Sequence, residues 1–595
     1  MHNQLSSPYS DNSFVGYVTL VSPAITNVHF PSSILLKKFY KADEGFHALT
    51  GKYIIVEGSG NGFLGKIIEI ALPENERLNL TESRYDREAF HPTGKVEILL
   101  CFDNYQLKAK KGLDQLPPVG AKVYLCSNEF LSSLLTDFGS SAGALIPDTL
   151  IQLATLPHDS ESIINVSAQA LFGRHCAVVG TTGGGKSWTV AKLLQEVLSN
   201  EGKAILIDAT GEYKSLNRHP KVAFLEFNSL EEDNGVFFNY RQLRDTDMYA
   251  LFRPTGQAQI PKLQEAMRSL RLLNILSSKK PKTANDDFIV NPTNGFWSAH
   301  AGRTFPLLVK KENLRNKITI AFKENIGVFS AECNFDINAL PYQIVNECIK
   351  DFDSGEGNYG KADTNAAGFC QSMISRILVT LGSDAFKKTF GFTADTVSKN
   401  EFTHSVGKFL EPEAEKDVLI ISVANIPSEN KLREILVNAI GRFLLEKALN
   451  GDFRSEIDGD RKKSVLLFLD EAHLFLDKRI KDEYSIEVDL DAYDRIAKEC
   501  RKYGLFLVLS TQMPRDIPKG VLSQMGTFIV HRLINQQDRE AIEYACSEAN
   551  RSALSFLPIL SSGEAMLTGV DFPMPIVLKI MEPEIKPKSV TPRVF

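Results

Sequence analysis

The most constraining feature of this sequence is a single stretch in which an apolar run meets a glycine-rich turn and then a helix-like segment. His175-Cys-Ala-Val-Val-Gly180 leads into Gly180-Thr181-Thr182-Gly183-Gly184-Gly185-Lys186-Ser187, and Ser187-Trp188 open SWTVAKLLQEVLSN. The pattern G-x-x-x-x-G-K-[ST] requires a loop whose glycines let successive backbone N–H groups turn inward toward phosphate oxygens. The helix that starts there adds the positive end of its dipole. Lys186 is expected on the β- and γ-phosphates of ATP and the Ser187 hydroxyl on Mg2+, with residues 180–188 forming the nucleotide-binding segment. A glycine-rich turn can match this pattern by chance; the flanking strand and amphipathic helix are the context that the functional reading needs.

A fold follows from that placement. KAILID at 203–208, DVLIISVA at 417–424, SVLLFLD at 464–470 and GLFLVLST at 504–511 are short, continuously apolar runs separated by helical stretches. Such runs predict an α/β core built on a parallel sheet covered on both faces. Upstream, GYVTLVS, KYIIVEG, GKIIEIAL, KVEILLCF and AKVYLCS recur between Gly, Pro and Asn clusters, the spacing of a small β-barrel or sandwich. The expected organisation is a β domain over 1–127, a connector over 128–165, an ATPase core made of 166–239 and 464–560, and a mostly helical insertion over 240–463. A proline-rich extension over 561–595 is expected to lie across a neighbouring surface.

Leu466-Leu467-Phe468-Leu469-Asp470-Glu471 is the second chemical element. Four apolar residues ending in two acids describe a buried strand that delivers carboxylates at its C-terminal end. Asp470 is expected to hold the magnesium shell and Glu471 to activate the attacking water as general base. The bland alternative is a strand that ends in a solvated acidic turn. Gln512, at the end of LFLVLSTQ, is the candidate sensor of the γ-phosphate, against ordinary turn chemistry.

Composition excludes several classes. In 595 residues the formal net charge is −6, too small to coat nucleic acid by bulk charge, though a local basic channel stays open. The basic clusters Lys108/Lys110/Lys111, Lys279/Lys280/Lys282 and Arg461/Lys462/Lys463 are candidates for such a channel, or simply solvated faces. The eight cysteines are scattered and form no CxxC, unlike a zinc site or a disulfide framework. With no apolar run long enough to span a bilayer and no basic-then-apolar start, a cytoplasmic protein away from the membrane is expected.

Taken together, RHCAVVGTTGGGKSWT, ILIDATGEY, LFLDEAH and AKECRKYGLFLVLSTQMPRDIP resemble the HerA branch of the HerA/FtsK P-loop ATPases. The resemblance implies a RecA-like core with an N-terminal β-barrel and a helical insertion. It further implies a homo-hexameric ring through which double-stranded DNA is moved by ATP hydrolysis, commonly with a partner nuclease such as NurA. In such a ring an arginine of the neighbouring subunit stabilises the transferring phosphoryl group; Arg501 and then Arg174 occupy matching positions, with Arg532 a weaker third. Some bacterial relatives serve anti-phage defence beside a nuclease or a sirtuin-like NAD-consuming protein. The alternative function is therefore an ATP-dependent scaffold that assembles and activates such an effector. The distance of 470 − 186 = 284 positions between lysine and acid pair makes the insertion large, and what it binds is open.

Overall fold

The computed structural model describes residues 8–23, 25–31, 49–73, 91–105, 109–110, 115–136, 149–157, 159–229, 235–278, 289–290, 307–311, 315–350, 357–392, 401–411, 413–453, 464–476, 478–480, 488–546, 551–572 and 574–588. All three basic clusters lie outside the described residues, except that the backbone of Lys110 falls in a two-residue strand. The chain forms two compact units, one from residues 1–201 and 506–587, the other from 202–505 and 588–595. The divisions therefore fall inside both segments expected for the ATPase core.

The first unit begins with an antiparallel barrel. Around it run Thr26–His29, Phe14–Val21, Lys122–Leu125, Tyr53–Val56, Asn61–Ala71 and Thr93–Asp103, and the last strand pairs back onto the first. Val15, Val28, Ile54, Val56, Ile67, Val96 and Val123 fill its interior, the inward half of a period-two pattern. Closure leaves few unpaired edges. Lys66, buried in the wall, places its ammonium 3.9 Å from the Phe556 ring centroid, and loss of water lowers its pKa to about 8.

The same unit carries a mixed sheet. Leu505–Thr511, Cys176–Val179 and Thr527–His531 are parallel, and Glu564–Gly569, Ile576–Ile580, Leu150–Leu156 and Asp159–Ser167 continue it antiparallel. Two expectations change here. The stretch 128–165 holds a helix, Asn128–Thr136, and two strands of this sheet. The tail beyond 561 likewise builds two strands, because EAMLTG and IVLKI are apolar enough to bury and the prolines fall outside them.

In the second unit, five parallel strands run in the order Gly235–Val236, Val222–Phe227, Val418–Ser422, Lys203–Asp208 and Val465–Leu469. The apolar run at 417–424 thus joins the sheet from within the helical stretch. Lys203–Asp208 and Val418–Ser422 are buried at every position, as strands covered on both faces must be. The rest of this unit is largely helical, with Gly256–Ser278, Thr364–Gly382 and Leu432–Leu449 the longest helices among the described residues. Arg442 clamps the buried Asp247 carboxylate through two hydrogen bonds of 2.9 and 2.5 Å. No described helix is long and apolar enough to cross a membrane.

Candidate nucleotide site

The glycine-rich turn connects Cys176–Val179 to the helix Lys186–Ser199. Gly183 (φ 75°) and Gly185 (φ 115°) adopt left-handed backbone conformations that a side chain would strain. Gly180 is required for a different reason: a Cβ there would sit 2.5 Å from the His531 Cβ. The turn is fastened on several sides. Gly180 N donates to Thr511 O (3.3 Å), Thr181 N to Arg532 O (3.0 Å) and Gly184 N to Thr181 O (3.1 Å). From the C-terminal strands, Gly563 N donates to Gly184 O (3.2 Å) and Ser562 Oγ to Gly183 O (3.3 Å). Loop shape is thus held by backbone contacts from three separate chain segments.

Side chains complete this half of the site. The buried Lys186 ammonium donates to Thr181 O at 3.4 Å, which keeps the charge over the turn. Thr182 Oγ1 donates to Gln512 Oε1 at 2.5 Å, so the structure brings the loop and the candidate sensor into contact. Ser187 follows Lys186 in the first helical turn and is half-buried. The ring of Trp188 lies 4.8 Å from the Lys586 ammonium. Arg174 donates through Nε to Asp571 Oδ2 at 2.8 Å within its own unit.

Beneath the turn lies a residue that the sequence did not single out. His531 is fully buried; its Nδ1 donates to Glu564 O (2.9 Å), which leaves Nε2 to accept from the Thr189 hydroxyl (2.8 Å). Burial, reinforced by the nearby Lys186 charge, lowers its pKa to about 4, so the ring is neutral at pH 7. Its one signal in the sequence is its place directly before Arg532, in VHRLINQQD. That arginine is exposed, donates to Pro558 O, and supplies the loop with its backbone carbonyl.

In the second unit, Asp470 and Glu471 stand at the end of Val465–Leu469, 5 % and 9 % exposed. They are a buried acid pair, not a solvated turn. Glu471 takes a left-handed conformation (φ 46°, ψ 48°), unfavourable for a residue with a Cβ, and its Oε2 lies 3.2 Å from His473 Nδ1. His473 is a second residue that motif reading passed over, although it stands in LFLDEAH. The neighbouring strand ends in Asp208, whose carboxylate accepts from the backbone N–H groups of Thr210 (3.1 Å), Gly211 (2.7 Å) and Tyr213 (3.2 Å). Asp208 therefore shapes the ATGEY turn; burial raises its pKa despite those donors. Arg501 projects from the turn Cys500–Tyr503 and is exposed, with no ion pair to a described residue.

The first unit holds a glycine turn locked around a buried lysine and the second a buried Asp-Glu pair at a strand end; each is an element of a P-loop ATP hydrolase. Hard oxygen donors at Ser187 and Asp470 are of the kind that suits magnesium. Family models described as "Helicase HerA, central domain" and "Helicase HerA-like C-terminal" match residues 151–341 and 452–579. The chain is 25% identical over 587 residues to a DNA double-strand break repair helicase HerA of Sulfurisphaera tokodaii, covering 95% of this chain and 92% of that one. A probable helicase of Methanocaldococcus jannaschii is also 25% identical, over 488 residues, covering 78% of this chain and 74% of that protein. Among solved structures, VirB4 of Thermoanaerobacter pseudethanolicus matches with TM-score 0.43 and 15% identity, over 74% of this chain and 98% of that one. The conjugative coupling protein TrwB, in its ADP and Mg2+ complex, matches with TM-score 0.41 and 13% identity, over 75% and 96%. The chain belongs to the HerA-like family.

Proposed function

We propose that this protein is an ATP-driven translocase or helicase on double-stranded DNA, working as a homo-hexameric ring with a partner nuclease or effector. The observation that carries the reading is the phosphate turn, clamped in shape by the Arg532, Thr511 and Gly563 backbones. Its relatives named as DNA double-strand break repair helicases supply the substrate class.

In this reading the backbone N–H groups of 181–187 bind the phosphates, and Lys186 neutralises charge between the β- and γ-groups. Magnesium, held by Ser187 and Asp470, would supply further charge neutralisation. Glu471 orients and deprotonates the attacking water, with His473 fixing the carboxylate. Gln512 links the γ-phosphate to the strand end through its bond to Thr182. Arg501, exposed and without an ion pair to a described residue, is the arginine offered to a neighbouring subunit. Arg174 would have to leave Asp571 first, which ranks it second.

The test is ATP turnover by the assembled protein with and without duplex DNA, repeated with Arg501→Ala. Stimulation by duplex, lost in the variant while nucleotide still binds, is the expected result. Hydrolysis that ignores DNA but responds to a partner protein would replace the motor with the ATP-dependent scaffold.

A further inference from the structure

A lysine of the barrel wall reaches the chain segment that shapes the phosphate turn. Lys66 lies in Asn61–Ala71, opposite Tyr53 on one neighbouring strand and Glu97 on the other, and is 9 % exposed. Its ammonium stands 3.9 Å from the Phe556 ring centroid and 5.9 Å from that of Tyr53. A cation held out of water over an aromatic face is drawn to the ring more strongly than an exposed one.

Phe556 directly precedes the short turn Leu557–Ile559, and two sets of hydrogen bonds run from this segment to the glycine turn. In the first, Leu533 N donates to Leu557 O (3.3 Å) and Arg532 Nε to Pro558 O (3.1 Å). Arg532 O in turn accepts from Thr181 N (3.0 Å) and Thr181 Oγ1 (3.2 Å). In the second, Ser562 Oγ donates to Gly183 O and Gly563 N to Gly184 O. The loop is therefore tied at its start and at its middle to the segment that begins with the Phe556 ring.

We propose that Lys66 is a positioning residue for nucleotide binding: its charge, seated on Phe556, holds residues 556–563 where they shape the phosphate turn. This rests on the reading of that turn as the phosphate site of ATP. The attraction exists only while the amine is protonated. Loss of water lowers the Lys66 pKa to about 8, with Glu97 opposing the shift. Tyr53 is kept neutral by its own burial, which raises its pKa. About three quarters of the chains then carry the Lys66 charge at pH 7.5 and about a tenth at pH 9.

Equilibrium dialysis of ADP with magnesium against the full-length protein, at about pH 7.5 and about pH 9, tests this. Lys66→Met should bind ADP about tenfold more weakly at the lower pH and lose nothing further at the higher. The wild type should weaken about fourfold between the two, the weighted average of its charged and neutral forms. Lys66→Arg, charged at both, should bind ADP equally well at the two pH values, a difference that a purely space-filling role would not produce. Phe556→Leu, apolar but without the ring, should match Lys66→Met and serves as the second probe if that variant does not fold, with melting temperatures checked for each. Undiminished affinity in Lys66→Met and Phe556→Leu, or an alkaline loss in Lys66→Arg as steep as in the wild type, would overturn the proposal and leave the phosphate turn in place. Wild-type protein that binds no ADP at either pH would overturn the reading of the turn itself, and this one with it.

Discussion

Acidification should loosen the phosphate turn through one residue. His531 is completely buried, donates to Glu564 O and accepts from Thr189 Oγ1, and has a folded-state pKa of about 4 against 6.5 when exposed. Between those values the unfolded chain binds the proton and the folded chain does not, so stability falls as pH drops from about 6.5 to about 4. The full penalty is about 3.5 kcal/mol, from 2.5 pKa units at about 1.4 kcal/mol each, and about 2 kcal/mol of it is spent between pH 7 and pH 5. The assay is urea unfolding followed by Trp188 fluorescence in a Trp297→Phe background, since the chain has two tryptophans and Trp188 adjoins the turn. His531→Asn keeps a donor for Glu564 O but cannot titrate. It should cost about 1–3 kcal/mol at pH 7, by stranding the Thr189 hydroxyl, and flatten the pH dependence. An equally steep loss from pH 7 to 5 in the variant refutes the assignment.

Glu471→Gln should retain ATP binding and lose about 10²–10⁴ in kcat, read by steady-state phosphate release; wild-type turnover would remove the general-base role. Gly180→Ala forces a Cβ to within 2.5 Å of the His531 Cβ, so nucleotide affinity should fall at least about tenfold in an equilibrium binding assay, with the glycine turn displaced. Asp247→Ala leaves the buried Arg442 charge without its carboxylate and should destabilise the second unit by about 3–5 kcal/mol in chemical denaturation, with the first unit's transition unmoved.

The form of the phosphate turn was legible because it is local. Glycines at positions needing φ > 0, a lysine and serine at the helix start, and an apolar strand before them are adjacent in the chain, so spacing alone specifies their shape. The acid pair was readable for the same reason: an apolar run fixes the strand, and its end fixes the carboxylates. The barrel strands announced themselves through alternation, although Thr26–His29, only four residues long, escaped a pattern that needs more periods.

Other features depend on distance along the chain. Arg174 and Asp571 are 397 positions apart, and nothing in either neighbourhood forecasts that they pair. The strands Glu564–Gly569 and Ile576–Ile580 looked like a proline-rich tail, since a short strand gains its stability only from the neighbours it hydrogen-bonds.

What the sequence determined by itself, then, was the local form of each element: a turn shaped to cradle a phosphate and a strand that ends in two acids, because backbone conformation and local spacing decide that. Only the tertiary structure decided how the site is held and tuned. His531 becomes neutral, Asp208 becomes a turn cap and Gly563 becomes a clamp through burial and through contacts with chain segments far away in sequence. Desolvation and long-range hydrogen bonding belong to the packed molecule and leave no periodic trace in the chain.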